Sequence, residues 1–370
     1  MNSDKPIPID YDPEEFGLDE ADDIRIYEHQ RIRVDPGQEP MRVDHFLANR
    51  IRHVSRSRIQ NAALAGFIRV NDEVVKSSHK IRAYDEVSMI LPYPPQPDLL
   101  AENIPLNIAY EDEHLVLVHK PAGLVCHPGS GNYRGTLVNA LLYYFNETDF
   151  AKTKGSDPIR PGLVHRIDKD TTGLLVIAKN EQSFNSLARQ FYDRTTFRNY
   201  WAIVWGDVAE DQGTIVGHIG RHPTQRQRFM VYEDGSMGKH AVTHYEVLQR
   251  FGVATLVRCK LETGRTHQIR VHFKYKNHTL MGDPFYGGDR ILRGKQSTFY
   301  QRFMEENLAI LSRQALHAKN LGFLHPATGE WTFFESPLPM DMKRVLSRLA
   351  EFAHVDPLPE YAAMPRELGD

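Results

Sequence analysis

Residues 165–179 read HRIDKDTTGLLVIAK. An Arg, two Asp and two Thr precede a Gly, and the apolar run from Leu174 to Ala178 follows with the character of a buried strand. A polar loop delivered to the mouth of a rigid strand holds catalytic groups in place while leaving them open to solvent. Asp168 and Asp170 are the two carboxylates such a loop offers. The same residues also suit a plain turn, in which either Asp bonds its own backbone and Gly173 supplies a positive φ. A second polar constellation is TGRTHQIRVHFKY, residues 263–275. Gly264 gives a turn, Thr266 is placed to cap, and His267, Gln268 and Arg270 leave the start of one short helix together.

These loops need a scaffold, and the chain is long enough to build one. Its 370 residues, 41% hydrophobic and 25% charged, suit a soluble globular protein of two or three domains. No apolar run approaches the roughly 18 residues of a membrane helix. The start, MNSDKPIPID, has neither the basic opening nor the apolar middle of a signal peptide, so a cytoplasmic location is expected. Cys126 and Cys259 stand alone in apolar settings, which predicts buried thiols rather than a disulfide or zinc site. His240 and His244 lie four apart on a strand-like stretch with no third ligand near them. The formal net charge of −3 hides an asymmetry, since residues 29–350 hold 42 Lys and Arg against 33 Asp and Glu. A basic body with acidic ends favours a polyanionic partner.

In chain order, residues 1–28 are acidic and proline-bearing and predict a disordered extension. Residues 29–91 predict a small α/β module. Alternation in IRIYEHQRIRV suggests a strand, MRVDHFLANRI a helix, and RSRIQNAALA a second helix capped by Ser55 and ended by Gly66. A hairpin follows, turning at Asn71-Asp72-Glu73, and then one strand from Lys80 to Leu91. Arg50, Arg52, Arg56 and Arg58 cluster here, and guanidinium groups beside a helix start suit a phosphate backbone. PYPPQPD, residues 92–98, is a stiff linker.

Residues 99–350 predict a second domain in which strands outnumber helices and connections are of hairpin length, hence α+β with a mainly antiparallel sheet. Strands are expected in IAYEDEHLVLVHK, TFRNYWAIVWG, AVTHYEVL and ATLVRCKLE. Helices are expected in GTLVNALLYYF, NEQSFNSLARQFYDR and DMKRVLSRLAEF. Residues 218–238 read as basic and irregular, and residues 351–370 as an acidic tail.

HRIDKDTTGLLVIAK, RNYWAIVWG, LETGRTHQIRVH and GDPFYGG resemble, in order, the signature segments of the RluA family of large-subunit ribosomal pseudouridine synthases. RVDHFLA, SRSRIQNAALAGFIRVNDEVV and DEVSMIL resemble the S4 RNA-binding module. With that module in front, and with KPAGLVCHPGSGN and RQALHA in place, the likeness is greatest to the family's D type. It spans about residues 40–350.

The resemblance implies the pseudouridine synthase fold with a mixed sheet, and a monomer that isomerises uridine to pseudouridine in large-subunit (23S) rRNA or a pre-ribosomal particle, with no cofactor or metal. It implies that Asp168 acts at the glycosidic bond of a flipped nucleotide, that Tyr200 stacks on the uracil and serves in removing the C5 proton, and that Arg270 pairs with Asp168. It assigns Arg166 to the space left by the nucleotide, and places Arg265, His267 and Gln268 around the substrate. A noncatalytic RNA-binding protein would share the charge pattern, but has no use for the set of Asp168, Tyr200 and Arg270. A kinase catalytic loop is excluded by the Arg-to-Asp spacing in HRIDKD and by the missing Gly-rich loop and DFG.

Overall fold

The computed structural model describes residues 27–51, 56–91, 100–128, 132–146, 162–225, 227–294 and 297–362. The acidic extension up to residue 26, Arg52, the cap expected at Ser55, the linker at 92–98, the loop preceding Gly162 and the last eight residues lie outside them. So does the side chain of Arg58. The chain divides into two compact units near Leu100, two residues past the proline-rich stretch. Among the described residues no helix is long and apolar enough to cross a membrane.

The first unit runs β1 (Tyr27–Arg33), β2 (Met41–Arg42), α1 (Val43–Arg50), α2 (Arg56–Leu64), β3 (Ile68–Val70), β4 (Glu73–Val74), β5 (Lys80–Ile81) and β6 (Glu86–Leu91). β1, β6, β3 and β4 form one antiparallel sheet, in that order, and β2 pairs with β5. Val43, Phe46, Leu47, Ile59, Ile68, Ile81 and Val87 fill its core. The strand expected from Lys80 to Leu91 is broken in two. Asp85 accepts the Arg82 N–H (2.7 Å) and an Asn71 amide N–H (2.9 Å), and Tyr84 takes a positive φ of 72°, so the segment turns before pairing with β1.

Asp44, fully buried in the first turn of α1, accepts from Arg42 (3.0 Å, twice), Arg56 (3.2 Å) and Gln60 (2.8 Å). The Arg42 bond, with help from Gln60 and Arg56, overcomes burial and holds this carboxyl well below its ordinary range. α1 and α2 are thereby tied by charge as well as by packing.

The second unit runs β7 (Ile108–Glu111), β8 (Leu115–Lys120), α3 (Leu137–Asn146), β9 (Thr172–Ala178), α4 (Glu181–Tyr192), β10 (Phe197–Trp205), β11 (Gln212–Arg221), β12 (Phe229–Tyr232), β13 (Lys239–Arg250) and β14 (Ala254–Leu261). Then come α5 (Gln268–Tyr275), α6 (Thr298–Ile310), β15 (Leu316–Leu324), β16 (Trp331–Glu335), α7 (Met340–Ala353) and α8 (Pro359–Ala362). Its ten-stranded sheet has the order β12-β11-β13-β14-β10-β15-β9-β8-β7, with β16 added on β15. β15 and β9 run parallel, and the other pairs are antiparallel, which gives the mixed, mainly antiparallel α+β sheet expected.

Every residue of β9 is buried, as its unbroken apolar run demands. Leu174 and Val176 pack with Leu187 of α4 and with Phe323, while Trp201, Ile203 and Trp205 of β10 pack with α6 and α7. Alternation along β10 therefore turns Tyr200 away from the α6–α7 core. Gly173 joins this sheet with φ +116°, and a Cβ there would sit 2.2 Å from the Ala318 carbonyl oxygen. Only glycine allows β9 to come so close to β15.

Two expectations change, and one helix, α6, is added. The stretch 218–238 is not irregular: β11 continues to Arg221 and pairs with β12, burying Ile219 against Val231. α6 was hidden by its mixed composition, because the core it meets lies far off in sequence. The tail assigned from residue 351 is in part core, since α7 reaches Ala353 and Tyr361 is buried with its hydroxyl bonded to Gln249.

Replacing Asp44 with Asn should destabilise the first unit by about 1–3 kcal/mol, since the two guanidinium groups lose their charged acceptor but stay half-exposed to water. Denaturant unfolding followed in this unit, with the second unit's transition as internal control, checks this. An unchanged midpoint would mean that packing alone joins α1 to α2.

Candidate active site

Asp168 sits on the loop that enters β9, with its carbonyl bonded to the Thr171 N–H (3.1 Å). Its Oδ2 accepts from Arg270 NH1 (2.9 Å), with 20% of the Asp168 side chain and 5% of the Arg270 side chain exposed. Arg270 comes from the first turn of α5. Its Nε and NH2 donate to both oxygens of Asp283, at 2.7 and 3.0 Å. Asp283 is wholly buried, and its Oδ1 also accepts the N–H groups of Phe285 (3.0 Å) and Tyr286 (3.2 Å). The guanidinium lies 5.1 Å from the Tyr286 ring centre and 5.7 Å from that of Phe285. Arg270 thus has one fork fixed on Asp283, and the remaining arm is aimed at Asp168.

The electrostatics follow from this chain. Burial pushes the Asp168 pKa up, but the charges of His267 and Arg270, the Arg270 hydrogen bond and Arg166 outweigh it and leave the carboxyl below its ordinary value. Burial lowers the His267 pKa, so near neutral pH that ring is largely uncharged and Arg270 is the partner that counts. The two carboxylates in turn raise the Arg270 pKa against burial.

Asp170 has other work. Its Oδ1 accepts the Gly123 N–H (3.1 Å) and its carbonyl accepts from Arg313 (3.0 Å), which ties the loop to its neighbours. Between the two acidic residues of the motif, Asp168 is the one joined to the Arg270 chain.

Tyr200 is 8% exposed on β10, opposite Cys259 of β14 and Ala318 of β15. Its hydroxyl has no hydrogen-bond partner among the described residues. Burial and the Asp168 charge raise its pKa, so the phenol is protonated at neutral pH. Arg166 is exposed two residues before Asp168 on the same loop, and its charge favours the ionised carboxylate.

The residues expected to surround a substrate divide into two kinds. Gln268 is buried, accepts from Thr263 Oγ1 (2.7 Å) and Arg265 N (3.0 Å), and donates to Val242 O (3.0 Å) and Thr243 Oγ1 (2.9 Å). Every hydrogen-bonding position of its amide is in use, so it holds the loop and has none left for a ligand. It also displaces Thr266 as the organiser of the helix start, where His267 occupies the cap position in the left-handed region (φ 55°) without a capping side-chain bond. His267 bonds the Tyr286 hydroxyl through Nδ1 (2.9 Å) and faces Phe229 and Phe285 edge-on. Arg265 donates to the His240 carbonyl (3.2 Å) and is partly exposed.

Several residues of the site carried no role in the sequence. Lys120, 2% exposed, donates its three N–H bonds to the carbonyls of Pro121 (2.8 Å), Leu124 (2.8 Å) and Lys169 (2.7 Å). Burial lowers its pKa to about 8. Arg313 grips both oxygens of Asp341 at the start of α7 (2.7 and 2.9 Å) while bonding the Asp170 carbonyl. His165 stacks on Phe191 (4.4 Å) and accepts the Val176 N–H at Nε2 (3.0 Å). Burial and Arg198 lower its pKa to about 3, which keeps it a neutral acceptor. Lys120, Asp283 and Arg313 belong to KPAG, GDPFYGG and RQALHA, so their motifs were visible while their partners were not.

Comparisons with known proteins identify the class of enzyme to which this fold belongs, one that isomerises uridine in RNA. Residues 114–275 match the family described as RNA pseudouridylate synthase. An uncharacterized RNA pseudouridine synthase, YlyB, of Bacillus subtilis is 44% identical over 312 residues, 84% of this chain and 95% of that protein. Ribosomal large subunit pseudouridine synthase D of Zymomonas mobilis is 42% identical over 83% of this chain and 93% of its own length. The solved structure of human RNA pseudouridylate synthase domain containing 4 is 26% identical, has a TM-score of 0.50, and matches 66% of this chain and 92% of that one. The chain belongs to the RNA pseudouridylate synthase family.

Single-turnover isomerisation measured against pH is expected to show the work of Arg270. Since Asp168 is held below its ordinary pKa, Arg270→Met leaves burial to push it up, and the acid limb should move to higher pH. Asp283→Asn, which leaves the guanidinium charged but less firmly aimed, should slow the reaction with a smaller movement of that limb. An unmoved limb in Arg270→Met would show that Asp168 does not govern the acid side.

Proposed function

We propose that this enzyme isomerises uridines of large-subunit ribosomal RNA, using Asp168 on a nucleotide turned out of its helix. The observation that carries the reading is the chain from Asp283 through Arg270 to Asp168, which ends in an ionised, partly exposed carboxylate whose charge is felt at Tyr200. Opening the N1–C1′ bond places positive charge on the ribose, and a fixed carboxylate stabilises that state. The uracil leaves with the bonding pair on N1, turns, and rejoins C1′ through C5. The C5 proton then departs and N1 gains one.

Tyr200 offers an aromatic face for the base. Its protonated phenol suits a relay, accepting the C5 proton only as its own passes on, rather than an ionised base. Arg166, exposed beside Asp168, fits the space vacated by the turned nucleotide. The names of the relatives, which include large-subunit synthases, support ribosomal RNA as the substrate.

The first unit fits an S4-like RNA-binding role by its order of elements. Within it Arg50 is paired with Asp35 and Arg56 with Asp44. Phosphate contact by either would have to be shared with an ion pair already made.

Mapping pseudouridine across the ribosomal RNA of a strain lacking this protein should reveal missing sites in the large-subunit RNA. They should return with the wild-type gene and stay absent with Asp168→Asn. Sites restored by Asp168→Asn would refute the catalytic assignment, and a complete map in the deletion strain would refute the substrate.

With Tyr200→Phe, stacking survives and the hydroxyl is lost. The variant should therefore open the glycosidic bond yet form product at least tenfold more slowly, in line with the loss of one general acid–base contribution. Unaltered rates would remove the hydroxyl from the mechanism.

A further inference from the structure

Three arginines stand on neighbouring elements outside the Asp168 chain. Arg198, on β10 two residues before Tyr200, lies over the Phe191 ring at 5.6 Å. Its Nε is buried with no hydrogen-bond partner. One end of its guanidinium reaches the loop before α5, where a Cβ on Gly264 would be 3.2 Å from NH1. Arg265 follows that glycine. Arg194 closes the turn after α4, with its N–H on the Phe191 carbonyl (3.4 Å) and a positive φ of 59°.

Arg198 sits against Phe191 and Gly264, Arg194 and Arg265 stand on the adjoining loops, and like charge makes such an arrangement unfavourable by itself. Arg194 lowers the pKa of Arg198 and of Arg265, in each case adding to a larger effect of burial. Among the described residues no carboxylate pairs with any of them. The acids adjacent in sequence are taken: Asp193 by Arg189 (2.5 Å) and Glu262 by His244 (2.6 Å). A buried, unpaired N–H on a guanidinium costs free energy unless a ligand accepts from it. The chemistry that satisfies three guanidinium groups together is a phosphate, which accepts through several oxygens and matches the planar fork.

We propose that Arg194, Arg198 and Arg265 form a phosphate subsite that takes a phosphodiester of the RNA strand beside the uridine held between Asp168 and Tyr200. The placement beside the uridine rests on the function proposed above. The strand supports it, since Arg198 and Tyr200 are successive same-face residues of β10. Phe191 serves as the floor on which Arg198 is spread.

The test uses full-length protein labelled with 15N-arginine and reads the Nε–H signals by NMR. Arg198 is identified by the signal lost in Arg198→Lys. The probes are the trinucleotide UpUpU, its analogue with both linkages replaced by neutral methylphosphonate, and inorganic phosphate. UpUpU should shift the Arg198 signal, the neutral analogue should bind at least tenfold more weakly, and the pair Arg194→Gln with Arg265→Gln should weaken UpUpU by about ten- to a hundredfold. Arg194 is exposed, so Arg194→Gln alone, expected to weaken UpUpU severalfold, guards against misfolding of the double variant.

An Arg198 signal that UpUpU leaves in place, or equal affinity for the charged and neutral trinucleotides, would overturn the proposal. A shift with inorganic phosphate but not with UpUpU would overturn its assignment to RNA. The readout needs no turnover, so an Asp168→Asn enzyme that stayed active would sink the catalytic reading without touching this result.

Discussion

One guanidinium shared by two carboxylates is the constraint on which the site depends. Removing an Arg and two Asp from water is costly, and geometry must repay it. Here the repayment is visible, because Asp283 takes two bonds from Arg270 and two more from backbone N–H groups, and Arg270 has aromatic rings beside it. Two negative charges around one positive leave a surplus of one. That surplus sits on Asp168, the member of the chain that reaches solvent. The arrangement keeps a carboxylate ionised and directed without neutralising it, as the proposed opening of a glycosidic bond requires.

A loop that carries such a group cannot also be stitched into a sheet, and its backbone must find partners elsewhere. Two buried cations provide them, Lys120 at the Lys169 carbonyl and Arg313 at the Asp170 carbonyl. Asp170 also accepts the Gly123 N–H, and His165 accepts the Val176 N–H late in β9. Residues of the motif that look catalytic by type are therefore partly structural. Their polarity satisfies the loop so that the Asp168 carboxylate is left to Arg270 and solvent.

The sheet then fixes which side chains meet. Because β10 lies between β14 and β15, one residue of slip would turn Tyr200 into the α6–α7 core and Trp201 toward Asp168. Gly173 lets β9 approach β15 along a parallel pair, which sets the loop at the height of Arg270. Gln268, by spending its whole amide on Thr263, Arg265, Val242 and Thr243, holds the start of α5 against β13, and so sets where Arg270 begins.

The sequence by itself determined the periodic elements. The apolar run of β9, the aromatic and β-branched β10, the spacing of α4 and the Asn71-Asp72 turn are local patterns, and local sterics and burial read them directly. It also determined the pairing of Asp168 with Arg270, through motifs long enough to carry a family resemblance. Only the tertiary structure decided what lies on the other side of each polar group. Asp283 meets Arg270 across 13 residues, Arg313 meets Asp170 across 143, and Lys120 meets Lys169 across 49. It likewise decided that residues 218–232 pair as a hairpin, that Tyr361 belongs to the core, and that Gln268 is a loop clamp. A hydrogen bond is specified by two groups at about 3 Å, and one strand of text shows only one of them.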